Sequence, residues 1–162
     1  FINDHAINAK EGFYIQGSRV LLSPLKTKEI LELKEINLNI LDNGIKNRLN
    51  AIHSVFLSQV FSSKNSFLKG VKSCNMSLYR KDCIKVNGFN GSFIGWGRED
   101  SEFVIRLFNV GIKRKNLKFS AVQYHLWHDE SNRSSLKSNE KLLNKTVNEN
   151  LNWCEVGINK FL

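Results

Sequence analysis

The sequence predicts a mixed α/β fold, with helices packed around a sheet, and three stretches carry that prediction. Phe13-Tyr14-Ile15-Gln16 and Val20-Leu21-Leu22, set about Gly17, read as strand material, and residues 117–127 alternate as a strand does. Between them Asp100, Phe103, Val104, Leu107 and Phe108 recur at helical spacing, and Gly111 suits the position just past the helix end. Strand and helix signals therefore interleave along 162 residues, a length that fits a single domain, 1–162, with a proper core.

The remaining elements follow in order. Residues 1–11 read as the end of a helix stopped by Gly12. Ser23-Pro24 opens a second helix, because proline tolerates a first turn that has no use for its missing N–H; dense apolar residues carry it until it frays at Asp42-Asn43-Gly44. Ile45, Leu49, Ile52, Phe56 and Val60 step by four, three, four and four, which predicts a helix, and 62–66 is a polar break. A strand near 71–79 is polar in its middle, and such groups need partners inside an apolar run. Lys81 to Val86 reads as a short helix closed by Asn87-Gly88, and 89–97 as a glycine-rich loop. Lys113-Arg114-Lys115 reads as a solvated turn. In the strand 117–127, Val122, Tyr124 and Leu126 fall on one side, with Gln123, His125 and Trp127 on the other. A polar stretch, 129–139, leads to a C-terminal helix, 138–153, marked by Leu142, Leu143, Val147 and Leu151.

Composition narrows the function classes. Hydrophobic residues make up 41% and charged residues 24%, ordinary for a soluble globular protein, and no apolar stretch reaches the roughly 18 residues of a membrane span. Three cysteines without CxxC spacing argue against a disulfide framework or a structural zinc site, and favour a reducing, cytoplasmic setting. The net charge of +9 favours anionic partners: nucleic acid, an anionic membrane surface, or phosphorylated small molecules. No recognisable reader motif accompanies the charge, so a specific nucleic-acid partner is not expected.

The stretch that most resembles a site is Gly95-Trp96-Gly97-Arg98-Glu99-Asp100-Ser101-Glu102. Two glycines flank a flat apolar ring with one N–H donor, and acids follow at the head of a helix. Helical phasing turns Asp100 inward, while Glu102 can pair with Arg106 one turn on. Acids in a first turn either cap the helix or line a pocket. His125 and His128 start on opposite faces of an extended strand, so both reach one ion only if the strand ends or turns near Trp127.

Four segments in order resemble the C-terminal half of family 2 (GT-A type) glycosyltransferases, in the galactosyltransferase and N-acetylgalactosaminyltransferase branch that includes bacterial capsule and lipooligosaccharide enzymes. They are Cys74-Asn75-Met76-Ser77, Val86-Asn87-Gly88-Phe89, the acidic stretch 95–102, and Tyr124-His125-Leu126-Trp127-His128. The resemblance covers about 13–133. It implies a nucleotide-diphospho-sugar transferase fold with flanking helices, whose N-terminal nucleotide-binding half lies outside the chain. It implies Asp100 as general base on the acceptor hydroxyl, Glu99 holding acceptor hydroxyls, and Trp96 stacking on a sugar with Gly97 beside it. Gln16 and Arg19 would lie near the donor, with Asn75 at the substrate; Asn75 and Ser77 could equally satisfy backbone groups alone. His128, or His125, would complete a divalent metal site, Mn2+ or Mg2+.

The chemistry suits these residue types. Charge develops on the leaving phosphates, which a bound metal offsets, and the acceptor hydroxyl sheds a proton to a carboxylate within reach. The family's Asp-x-Asp metal motif occurs nowhere in the sequence. The resemblance places it shortly before Phe1, so the chain alone is expected to be inactive and the protein that carries it to be the enzyme. Expected partners are a UDP-sugar donor and a saccharide acceptor, at the cytoplasmic face of a membrane. The rival readings are a non-catalytic saccharide- or nucleotide-binding module and, further off, a basic nucleic-acid-binding domain.

Overall fold

The computed structural model describes residues 1–36 and 38–161. In chain order the elements are α1 (Ile2–Asn8), β1 (Phe13–Gln16), β2 (Ser18–Leu22), α2 (Pro24–Leu33), β3 (Ile45–Lys46), α3 (Val55–Phe61), β4 (Ser63–Asn65), β5 (Met76–Ser77), α4 (Arg80–Lys85), α5 (Glu99–Asn109), β6 (Lys113–Asn116), β7 (Val122–His125) and α6 (Leu136–Asn148). The mixed α/β class expected from the sequence is what forms.

Two mixed sheets carry the structure, one ordered β4-β6-β1-β5 and the other β3-β2-β7. β1 runs parallel to β6 and β2 parallel to β7, while β1–β5, β2–β3 and β4–β6 are antiparallel. The chain passes from the first sheet to the second at Gly17, and again through 117–121. At this crossing Gly17 N–H donates to Asn75 O at 3.0 Å and Ser18 N–H to Ala121 O at 3.2 Å. A Cβ on Gly17 would lie 2.4 Å from Asn75 Oδ1 and 2.5 Å from Ala121 O, so only glycine lets the backbones approach.

Each sheet has its own apolar cluster. Tyr14, Val71, Val86, Phe103, Val104, Leu107 and Ile112 pack between the first sheet and α5. Val20, Leu22, Ile30 and Ile45 pack at the second, with Val122 and Tyr124 on the same side, as their alternation predicts. Truncating a fully buried phenylalanine such as Phe103 costs about 3–5 kcal/mol, which makes α5 a rigid carrier for whatever its first turn presents.

Several local expectations are corrected. α1 ends at Asn8 and Gly12 belongs to the turn into β1. α2 starts as expected, Ser23 Oγ accepting from Lys26 N–H at 3.2 Å, but stops at Leu33, where Lys34 turns left-handed. The apolar stripe from Ile45 is not one helix. Ile45 pairs with Leu22, Asn47 takes φ 58°, and Ser54 starts a separate helix by accepting from Leu57 N–H. The polar break at 62–66 contains β4, and the strand near 71–79 shrinks to β5 after a 3₁₀ turn at Ser73–Asn75.

Lys113-Arg114-Lys115 is no solvated turn: it forms β6, inside the first sheet, with Arg114 buried and donating to Asn65 Oδ1 and Lys69 O, both at 3.0 Å. The strand 117–127 reduces to β7, because Phe119 and Ala121 take φ of 58° and 48°. α6 runs over Leu136–Asn148 rather than 138–153. Among the described residues no helix is long and apolar enough to cross a membrane.

Candidate active site

The acidic stretch folds as a tight loop that hands over to α5. Arg98, the residue before the helix, is left-handed at φ 76° and pairs with Glu140 on α6, Nε to Oε2 at 2.8 Å. Gly97 takes φ 110°, and a Cβ there would come within 2.9 Å of Leu136 Cδ1. Asn139, 2% exposed, donates from Nδ2 to Gly97 O at 2.9 Å and Ile94 O at 3.2 Å. The loop is thereby fastened to α6 by a buried amide that sequence reading had placed in a polar stretch. Only its helical spacing to Leu143 and Thr146, both buried, signals an inward position.

Trp96 is half-exposed, with the Arg133 guanidinium 5.0 Å from its ring centroid. The other face of such a ring is suited to the C–H face of a pyranose. Glu99 has one oxygen engaged, Oε2 accepting from Gly97 N–H at 2.9 Å, and so braces the Trp96–Gly97 turn as well as facing outward.

Asp100 lies half-buried at the inner edge of the α5 N-terminus. Burial first, then the Glu99 carboxylate, push its carboxyl above the ordinary aspartate value, and contacts with Ser73 and Ser101 offset this only in part. No salt bridge to Asp100 occurs among the described residues. A carboxyl so placed is a better proton acceptor than an ordinary aspartate.

Ser73 links this end of the site to the crossing of the two sheets. Gln16 is buried, its Nε2 donating to Lys72 O and Asn75 O and its Oε1 accepting from Lys72 N–H. Asn75 is 1% exposed, donating to Ser18 O and Ala121 O at 2.8 Å while Oδ1 meets His5 Nε2 at 2.9 Å. The amides of Gln16 and Asn75 are fully engaged within the fold. In this arrangement they hold the 72–75 turn in place.

Arg19 differs. Among the described residues its Nη1 reaches only Cys74 Sγ at 3.8 Å, and its Nε is buried without a partner. Its charge also bears on His125, whose pKa burial, Arg19 and His128 together push down. β7 ends at His125, so the strand no longer separates the histidines: the two rings stand 5.1 Å apart, edge to face. His128 Nδ1 lies 2.8 Å from Asp129 O, and donation there leaves Nε2 with its lone pair. Imidazole nitrogens are ligands that divalent metals take, so the pair could supply two donors. Among the described residues no group of three or more His, Cys, Asp or Glu side chains could hold an ion.

The site residues thus form a chain of neighbours: Trp96, Glu99 and Asp100 at the α5 head, then Ser73 and Cys74, Arg19, and the histidine pair. Residues 57–129, which hold all of these but Arg19, match the family model described as the N-terminal domain of galactosyltransferase. This part of the chain is a galactosyltransferase-like region, and a mixed α/β domain of this kind accords with it. No curated protein and no solved structure gives a significant match to the chain.

Proposed function

We propose that the protein is a glycosyltransferase of the family 2, GT-A type, moving a hexose or N-acetylhexosamine from a UDP-sugar to a saccharide acceptor in bacterial surface polysaccharide or lipooligosaccharide synthesis. The observation that carries this reading is Asp100. Within a galactosyltransferase-like region, a carboxyl with a raised pKa and no cationic partner among the described residues lies four residues after a half-exposed tryptophan. Asp100 takes the acceptor hydroxyl's proton, Trp96 supports the sugar, and Glu99 stiffens the loop and holds a hydroxyl with its other oxygen.

His125 and His128 would hold part of a Mn2+ or Mg2+ site, with an Asp-x-Asp motif upstream of Phe1 completing it; such an ion supplies Lewis-acid stabilisation of the leaving diphosphate. The basic excess of +9 favours both the dianionic donor and a peripheral seat at the cytoplasmic face of the membrane. The deciding experiment is turnover of UDP-sugars by the protein bearing that upstream motif, with and without Asp100→Asn. A loss of less than tenfold removes Asp100 as base. Calorimetric binding of UDP with Mn2+ but no turnover on any saccharide leaves the non-catalytic binding module instead.

A further inference from the structure

A cleft of about 210 Å³ opens where the chain crosses between the two sheets. Its walls carry Arg19, Lys69, Lys72, Arg114 and Lys118, with no carboxylate and no aromatic ring among the lining residues. Arg114 forms a buried wall, already donating to Asn65 and Lys69 O. The others are poorly matched. Among the described residues Arg19 Nε is buried without a partner, and Lys118 Nζ reaches only Asn50 Oδ1 at 3.4 Å. Burial, then the charges of Arg19 and Lys118, push the Lys72 ammonium below its usual lysine value. Like charges gathered without counter-charge repel one another, and a planar guanidinium fork matches an oxyanion.

We infer that this cleft binds an oxyanion borne by the saccharide acceptor, a phosphate or a carboxylate on the sugar, a reading that rests on the transferase function proposed above. Two features favour the acceptor over the donor. The volume falls below the range of about 300–1,000 Å³ that encloses even a drug-sized ligand, and a nucleotide-sugar is larger still. The walls also offer no ring on which a base could stack. The position suits an acceptor as well: Lys72 precedes Ser73, whose main chain contacts Asp100. Lys72 thus puts an ammonium on the cleft wall one residue from the segment that contacts the candidate base.

The test is calorimetry on this chain in metal-free buffer with glucose 6-phosphate, glucuronate, neutral glucose and UDP as probes. At least one of the two sugar anions binds, glucose does not, and UDP neither binds as tightly nor displaces the sugar anion. Arg19→Gln and Lys72→Met each weaken that binding at least tenfold; Lys118→Gln, at an exposed position, serves if either of these fails to fold. Absence of binding by both sugar anions, or unchanged affinity in the folded variants, overturns the inference. Displacement by UDP at lower concentration overturns it too, reassigning the cleft to the donor's diphosphate. These are equilibrium measurements without turnover, so their failure is distinct from a failure of the transferase reading, which shows in the Asp100→Asn rate.

Discussion

Asp100 and Glu102 stand two residues apart in the first turn of α5 and have opposite surroundings. Glu102 is 1% exposed, and its carboxylate accepts from Arg106 Nε at 2.9 Å, Arg106 Nη2 at 2.8 Å and Thr146 Oγ1 at 3.1 Å. Arg106 in turn donates to Val86 O, so one matched ion pair joins α5, α6 and the segment after α4. Asp100 is also drawn out of water, yet among the described residues it receives only contacts from Ser73 and Ser101 and has Glu99 as a neighbour. The interior compensates one charge and leaves the other. A buried acid with its hydrogen bonds complete holds structure, whereas a desolvated acid with open valences has chemistry available to it.

The largest expected effect separates the two outright. Asp100→Asn lowers turnover about 10²–10⁴-fold, the usual worth of a positioned general base, and at the same time raises the melting temperature near neutral pH. The sign follows from the raised native pKa. Between the unfolded and folded values the native state keeps a proton that the unfolded chain has released, so stability falls as pH rises through that window and the loss persists above it. The asparagine variant lacks that slope. Thermal melts from acid to neutral pH should show the difference opening upward; a variant that melts lower at neutral pH breaks the contrast.

Glu102→Ala has the reverse signature. It strands the Arg106 guanidinium in the interior and costs about 3–5 kcal/mol in denaturant unfolding, while turnover per folded molecule holds. A drop in turnover per folded molecule to match Asp100→Asn would put both acids in the mechanism.

That contrast was half legible in the sequence. Helical phasing gave Asp100 its inward direction and Glu102 its partner, because α5 has a clean amphipathic period. β1, β2 and their break at Gly17 were legible as aromatic and β-branched residues set about a glycine, and burial alternates along β2. β6 was not, since three consecutive cations conceal a strand whose Arg114 is buried through hydrogen bonds rather than apolar contact. The stripe from Ile45 misled in the opposite sense. Its spacing is helical, but Leu49 and Phe56 are exposed, and Asn47 and Ser54 break the run locally. The approach of His125 to His128 depended on where β7 ends, which tertiary pairing with β2 decides.

Asn139→Ala tests how the loop that precedes the two acids is held. It leaves the carbonyls of Gly97 and Ile94 without their buried donor, which costs about 1–3 kcal/mol. The loosening is local, so amides of 95–98 should exchange faster with solvent than those of 103–107. Uniform acceleration across both segments would mean that the loop and the α5 core unfold together, and that the Asp100 end has no independence from the Glu102 end.

The smallest effect concerns Trp96, which shares the open end of the turn with Asp100. Its half-exposed ring contributes little to the core, so Trp96→Ala should leave the melting temperature nearly unchanged. If the ring supports the acceptor equally in ground and transition states, the variant raises acceptor KM about tenfold with kcat preserved, the pattern of lost uniform binding. Trp96→Phe keeps an apolar face and should recover much of that loss. A fall in stability of several kcal/mol without a change in KM would make Trp96 a packing residue like Phe103, and would shrink the open end of the α5 turn to its carboxylates.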